Sequence, residues 1–403
     1  MSEPDLNPSA DLAILGASPG FSALLPVGQL DFPDWGDYES AFRAIFERQY
    51  YTNQGPLVNL LEERLAERLQ VRHAICVTNA TIGLSMVAEA LEVGSRVITP
   101  AFTFIATAQS LLWTGRIPVF CDVDPQTHHL DIAHLEHLLE EGADAILAVN
   151  LWGGACRVHE IESLARRHGV PLYFDSAQAF GSTIGGRPIG GFGRAEVFSF
   201  HATKMMSTTE GGCITTNEDD VAERIRNIRS SYGVRTVVPV ERTANGRMSE
   251  AQAAIGLLSL DVVSSRIARN RVLHDAYRSE LAELPGLKIL DPQNVDSSNY
   301  LYLICEIDEL EFGLSRDELH RALHAENIVA RRYFTPGIHR TPPFSALMPK
   351  SVESLPKTDG LCATVLQLPL GARVSKADVG LACAKIRRIQ ALTRAVKERL
   401  AGQ

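Results

Sequence analysis

The sequence predicts an α/β protein: a large unit built on a mostly parallel mixed sheet, followed by a smaller α+β unit. Three observations carry this expectation. Short runs rich in Val and Ile alternate with segments of helical period from about residue 55 onward. Those runs are continuously apolar rather than alternating, as strands buried on both faces are. Beyond the run "GGCITTNE" the rhythm changes, and from about Leu287 strands and helices recur on a smaller scale.

In order, the helical segment "LVNLLEERLAERLQ" precedes the strand "HAICVT", and "TIGLSMVAEALEV" precedes "RVITP". "TFIATAQSLLWTG" then leads to "IPVFCDV", "DIAHLEHLLEEG" to "AILAVN", and "VHEIESLARRHG" to "PLYFD". Strands separated by helices in this way are the mark of crossover units. Ser249 and Gln252 have the spacing of a capping box and open a long helix whose continuation bridges to the second unit. The boundary is placed at residue 260: 1–260 is the large unit with an N-terminal arm, 261–403 the small one, with strand "YLYLICEI" and helix "SRDELHRALHAEN". No repeats or low-complexity segments interrupt the chain.

Composition narrows the function. The chain has 403 residues, 45% of them hydrophobic, and a net charge of −9, which argues against broad nucleic-acid or anionic-membrane binding. Seven cysteines form no CxxC pair and several lie in apolar runs, which suits reduced, buried thiols in a cytoplasmic protein. The stretch "MSEPDLNPSADLAILGASPG" has neither a basic start nor a long apolar core, so neither a secretory signal nor a membrane span is expected there.

Ligands of open α/β sheets bind beyond the carboxyl ends of the strands. Here those ends read "TNAT", "PAFTF", "NLWGG", "DSAQA" and "HATK". The last contains Lys204, the sole lysine among the first 287 residues, where all other basic side chains apart from histidine are arginine. A guanidinium is a poor nucleophile, so a Schiff base needs an amine. An amine converging with an acid, Asp175, is the arrangement that pyridoxal phosphate requires, because its pyridinium nitrogen needs an anionic partner.

Six stretches make the likeness specific: "TNQGPLVNLLEERLA", "VITPAFTFIATA", "YFDSAQAFGS", "FSFHATK", "EGG" and "NGRMSEAQAAIGL". In this order they resemble the signatures of the DegT/DnrJ/EryC1/StrS family of pyridoxal-phosphate-dependent sugar aminotransferases, and they span about residues 20 to 340. The resemblance implies fold type I, the aspartate-aminotransferase architecture, in a homodimer with shared active sites. It implies an L-glutamate donor and a nucleotide-sugar acceptor, the C4 ketone of a TDP-linked 4-keto-6-deoxyhexose. Amination at C3, or of a keto-cyclitol, is the alternative within the family. A cofactor-binding regulator or scaffold without turnover is the alternative outside it.

The resemblance also assigns roles. Lys204 would hold the cofactor covalently and then shuttle protons, against the ordinary reading of a surface lysine. Asp175 would pair with the ring nitrogen, against a helix-capping aspartate. Gln178 would bond the phenolate oxygen, with Ala177 near the ring face. Ala80 and Thr81, opening a helix, and Ser199 would hold the phosphate. Asn245 would reach that phosphate from the partner subunit, though "ANG" is also good turn chemistry. Phe104 would stack on the ring, against ordinary core packing. Arg331, Tyr333 and His339 in "ARRYFTPGIH" would line the substrate entrance. Three positions depart from the family's habit: Ala80 and Thr209 stand where glycine is common, and Asn150 where histidine is.

Other signals are set aside. His128, His129, His134 and His137 lack a carboxylate at a ligand spacing, and a solvated helix face explains them, so no metal is expected. "DVDP" is read as a strand-ending turn. "GGFGRAE" lacks the third glycine of a dinucleotide fingerprint, and the chain has no GxxxxGK[ST].

Overall fold

The computed structural model describes residues 11–29, 32–349 and 355–402, so the first ten residues, half of the N-terminal stretch read above, lie outside it. Twelve strands follow in chain order. They are β1 (His73–Val77), β2 (Arg96–Pro100), β3 (Ile117–Cys121), β4 (Ala145–Val149), β5 (Leu172–Asp175), β6 (Thr183–Ile184), β7 (Arg187–Pro188), β8 (Ala195–Ser199), β9 (Gly212–Thr216), β10 (Leu287–Ile289), β11 (Leu303–Ile307) and β12 (Val365–Leu368).

A seven-stranded sheet is ordered β1-β9-β8-β5-β4-β2-β3. Its central pairs are parallel, while β9 runs antiparallel to both β8 and β1. The mostly parallel mixed sheet expected from the sequence is therefore present, each predicted strand in place. The continuous apolar runs serve two cores at once. Ile146 and Ala148 of β4 face one layer of helices (Pro56–Leu69, Ile132–Glu140, Val158–His168), and Ala145 and Leu147 face the other (Ala80–Ala90, Ile105–Trp113, Asp219–Ser230). A period-2 backbone between two apolar layers favours apolar residues on both faces, and a polar one such as Glu196 of β8 is kept only with hydrogen-bond partners.

The capping box is formed: Ser249 accepts from Gln252 N, and Gln252 answers at the Ser249 N–H. The helix it opens is not continuous. Glu250–Asp261 and Val263–Leu281 meet at a 56° bend, and the second half packs Leu273, Tyr277 and Leu281 into the core of the smaller unit. That unit carries the antiparallel sheet β10-β11-β12.

The N-terminal segment differs from the expected division. Leu12, Ile14 and Leu25 are buried in the smaller unit's core rather than against the large sheet. The buried Glu326 carboxylate draws them there, accepting from Ala13 N at 2.6 Å, Gly20 N at 2.7 Å and Lys385 Nζ at 2.9 Å. The chain then crosses back, and Gln29 N donates to Thr203 O beside Lys204.

All seven cysteines are buried and unpaired. Among the described residues no single helix is long and apolar enough to cross a membrane, although the bent pair at 250–281 reaches that length and composition together.

Candidate active site

The carboxyl ends of β1, β2, β4, β5 and β8 open into one cavity of about 400 Å³, closed on the far side by residues of the smaller unit. One end of it is an anion cradle. After β1, Asn79 caps the helix Ala80–Ala90 by accepting from Ile82 N at 2.9 Å. The helix start at Ala80 and Thr81 then faces the cavity, its first N–H groups outside the helix's own ladder. Ala80 begins the helix without a left-handed backbone angle, so nothing there requires the family's glycine. Ser199, the last residue of β8, lines the same end. Behind it Gly212 lets β9 approach: a Cβ there would lie 2.8 Å from Phe198 O and 2.9 Å from Ala80 N.

Asp175 ends β5 and is buried. Its Oδ2 accepts from Thr107 Oγ1 at 2.8 Å and its Oδ1 from Ala177 N at 3.1 Å. Burial raises the carboxyl's pKa, while these two hydrogen bonds and the charge of Lys204 oppose the rise. Behind it, Ser176 donates to the buried Glu196 and accepts from Asn150 Nδ2 at 3.0 Å, and Asn150 Oδ1 accepts from Cys156 N. Asn150 thus does structural work behind Asp175. Gln178 accepts from Trp152 N at 3.0 Å through its Oε1, so its amide nitrogen is left to donate.

Lys204 follows β8 in a turn closed by its own N–H to His201 O. Its Nζ donates to Tyr302 Oη at 3.2 Å and lies 5.7 Å from the centre of that ring. Burial pulls the amine's pKa down; Tyr333 and Asp175 pull it up, and Arg331 adds to the lowering. An amine lowered in this way is nearer its nucleophilic form at neutral pH.

Arg331 and Tyr333 line the cavity opposite Asp175, 3.4 Å apart through Nη1 and Oη. Phe104, at the start of the helix Ile105–Trp113, lines it too and is 59% exposed.

Two assigned residues do not reach this cavity. His339 is buried and its Nε2 is 3.0 Å from Asp359 Oδ1, in a cluster with Arg340; the turn Ile338–Arg340 points it into the protein. Asn245 is exposed and lines no part of its own chain's cavity. The histidine run also differs from the expected solvated face. His128 and His129 are buried, and His134 accepts from Asp122 N at 3.0 Å, so only His137 of the four is exposed. Asp122 of "DVDP" is more than a turn residue, accepting from Lys357 N and Thr358 N at the start of the helix Pro356–Thr364. Among the described residues no cluster of three or more His, Cys, Asp or Glu could hold a metal.

Sequence reasoning missed Thr107, Tyr302, Trp152 and His201. Thr107 lies within the quoted stretch "TFIATA", three residues past Phe104 on a helix's first turn, which is a usable signal. Tyr302 and Trp152 carry none, since their place depends on a contact between segments about 150 residues apart.

The set fits pyridoxal phosphate. A lysine amine, a buried carboxylate, a donor amide and a helix N-terminus line one cavity, and the missing Cβ of Gly212 keeps the cradle open. Residues 36–387 match the DegT/DnrJ/EryC1/StrS aminotransferase family. The dTDP-4-amino-4,6-dideoxy-D-glucose transaminase of Escherichia coli is 32% identical over 351 residues, 86% of this chain and 93% of that one. A GDP-perosamine synthase of Caulobacter vibrioides is 34% identical over 337 residues, 82% and 89% of the two chains. Among solved structures, DesI in the presence of its TDP-sugar product superposes with a TM-score of 0.90 at 37% identity, covering 97% of this chain and 99% of DesI.

Proposed function

Because this chain belongs to the DegT/DnrJ/EryC1/StrS aminotransferase family, we propose that it moves the amino group of L-glutamate to the C4 ketone of a TDP-linked 4-keto-6-deoxyhexose. The observation that carries the reading is the convergence of Lys204, Asp175 and the Ala80 helix start in one cavity that keeps Arg331 on its far wall. Pyridoxal phosphate, when bound, supplies an electron sink and a carrier for the amino group.

The chain's own residues do the rest. Ala80, Thr81 and Ser199 bind the phosphate through backbone N–H groups and a hydroxyl. Asp175 keeps a negative charge in place to hold a proton on the ring nitrogen, with Thr107 and Ala177 fixing its orientation. Gln178, whose amide nitrogen is left to donate, would hold the phenolate oxygen. Lys204 Nζ accepts and returns the proton that moves at the substrate carbon. Arg331 pairs with an anionic group, the glutamate carboxylate in one half-reaction and the diphosphate in the other. The aromatic wall of Tyr302, Tyr333 and Phe334 excludes water.

The protein works as a homodimer in the cytoplasm, with Asn245 completing the partner's phosphate site. In support, Asn245 is exposed and outside its own cavity, and Trp35, Phe46 and Trp113 are exposed by 63–81%. The unpaired buried cysteines suit a reducing compartment. The division at residue 260 stands as a reading of the two sheets, with the N-terminal segment riding on the second.

The test is direct. The glutamate-treated enzyme is offered TDP- and GDP-linked 4-keto-6-deoxyhexoses and a 3-keto isomer, and product regiochemistry is read by NMR. The GDP arm is included because of the perosamine synthase match. A 4-amino TDP-sugar is expected; amination only of the 3-keto compound, or none with any sugar, overturns the reading.

A further inference from the structure

The amine of Lys204 comes from the large unit, yet the hydroxyl that holds it comes from the smaller one. Tyr302 immediately precedes β11, and its Oη accepts from Nζ at 3.2 Å. Tyr302 is itself braced. The Trp152 ring meets its edge at a centroid separation of 5.3 Å and 72°, and stacks on Phe334 at 5.3 Å and 13°. Trp152 adopts a left-handed φ of 61°, unusual for a bulky residue, and two hydrogen bonds keep it there. Its N–H donates to Gln178 Oε1 at 3.0 Å and its indole Nε1 to His128 Nδ1 at 3.2 Å. His128 Nε2 lies 3.4 Å from Glu306 Oε1 on β11, so the bracket closes on the strand that delivers Tyr302.

We propose that Tyr302, braced by Trp152, is a positioning residue that holds the Lys204 amine and sets the pH at which it is free to react. The inference rests on the reading of Lys204 as the reacting amine. Three charged or titratable groups from other segments bear on that amine's charge: Asp175 at the end of β5, and Arg331 and Tyr333 from the smaller unit. His201 and Glu210 line the same cavity. Tyr302 differs from all of these in offering a hydrogen-bond acceptor at contact distance. Burial raises the phenol's pKa well above its ordinary value, so it stays protonated and does not replace the lysine as a base. A neutral phenol bonds both forms of the amine, but the bond from the ammonium is charge-assisted and stronger, so the contact favours the ammonium. The phenol's own hydrogen is left to donate elsewhere, since its oxygen already accepts from Nζ.

The measurement uses cofactor-free full-length protein. Trace acetic anhydride acetylates free amines, and the Lys204 peptide is quantified by mass spectrometry against Lys288, whose side chain is 67% exposed. Tyr302→Phe keeps the ring that faces the amine and removes only the oxygen. Its Lys204 labelling midpoint is expected to fall by about one pH unit. Trp152→Phe keeps an aromatic face but loses the indole donor, and a smaller shift in the same direction is expected. Near-UV circular dichroism checks that each variant is folded. A Tyr302→Phe midpoint that coincides with the wild type overturns the proposal. Should that variant not fold, an unshifted Trp152→Phe midpoint overturns it instead. Labelling does not depend on which sugar is aminated, so an enzyme that rejects every 4-keto sugar would sink the proposed function and leave this result standing.

Discussion

The two walls of the cavity are built differently. On the cofactor-facing wall Asp175 closes β5, Ser199 closes β8 and Ala80 opens a helix, and Lys204 and Gln178 follow β8 and β5 within a few residues. On the opposite wall Arg331, Tyr333 and Phe334 come from irregular chain, and Tyr302 from the residue before a strand. The first wall is fixed by the backbone hydrogen bonds of a sheet buried on both faces. The second is fixed by ring contacts, such as Trp152 on Phe334, and by isolated bridges such as Arg331 to Gln367. Chemistry common to a family belongs on the rigid wall, and discrimination among sugars on the adjustable one.

Substitutions can break or sharpen that contrast. The largest effect is expected for Lys204→Arg, which keeps the charge and removes the amine: conversion of glutamate to 2-oxoglutarate should fall by at least about 10³-fold. Asp175→Asn keeps an acceptor for Thr107 and removes the charge, and the same assay should show a loss of about 10²-fold. An effect of either variant confined to KM for the sugar would erase the distinction between the walls.

Behind the rigid wall, burial raises Glu196 to about 7 from an ordinary 4.5, against the hydrogen bonds from Ser176, Phe192 N and Gly190 N. Between those values the native state holds a proton that the unfolded chain has released. Stability from this group is therefore complete below pH 4.5 and is lost as the pH rises toward 7. Glu196→Gln should flatten that fall, a change of about 3 kcal/mol between mildly acidic and mildly alkaline urea titrations.

On the adjustable wall, Arg331→Gln should raise KM for glutamate or the nucleotide sugar about tenfold with kcat little changed. Weakened cofactor affinity in its place would move Arg331 to the other wall. The smallest effect belongs to Thr209, which stands at a left-handed φ of 70° that suits glycine better. Thr209→Gly should stabilise the protein by about 0.5 kcal/mol in the same titrations.

What could be read from the sequence follows the same line. Continuous Val- and Ile-rich runs announced the sheet, and an out-of-place lysine announced the chemistry, because both are local consequences of what a buried strand or a nucleophile must be. The 56° bend at Val262 left no mark, since no glycine or proline stands there. His339 was misplaced because a motif assigns a segment and not the direction in which each side chain points. The N-terminal arm was assigned by proximity in sequence, whereas a buried carboxylate some 300 residues away decides where it rests. Tyr302 is the same case at the active site.

Gly212 does not line the active-site cavity, yet no atom larger than hydrogen fits between its backbone and the amide that starts the cradle. A colony screen for protein that has lost its yellow colour would therefore return this position alongside the lysine. Anyone ranking hits by distance to the chromophore would discard it, although the backbone contact behind the cradle depends on it.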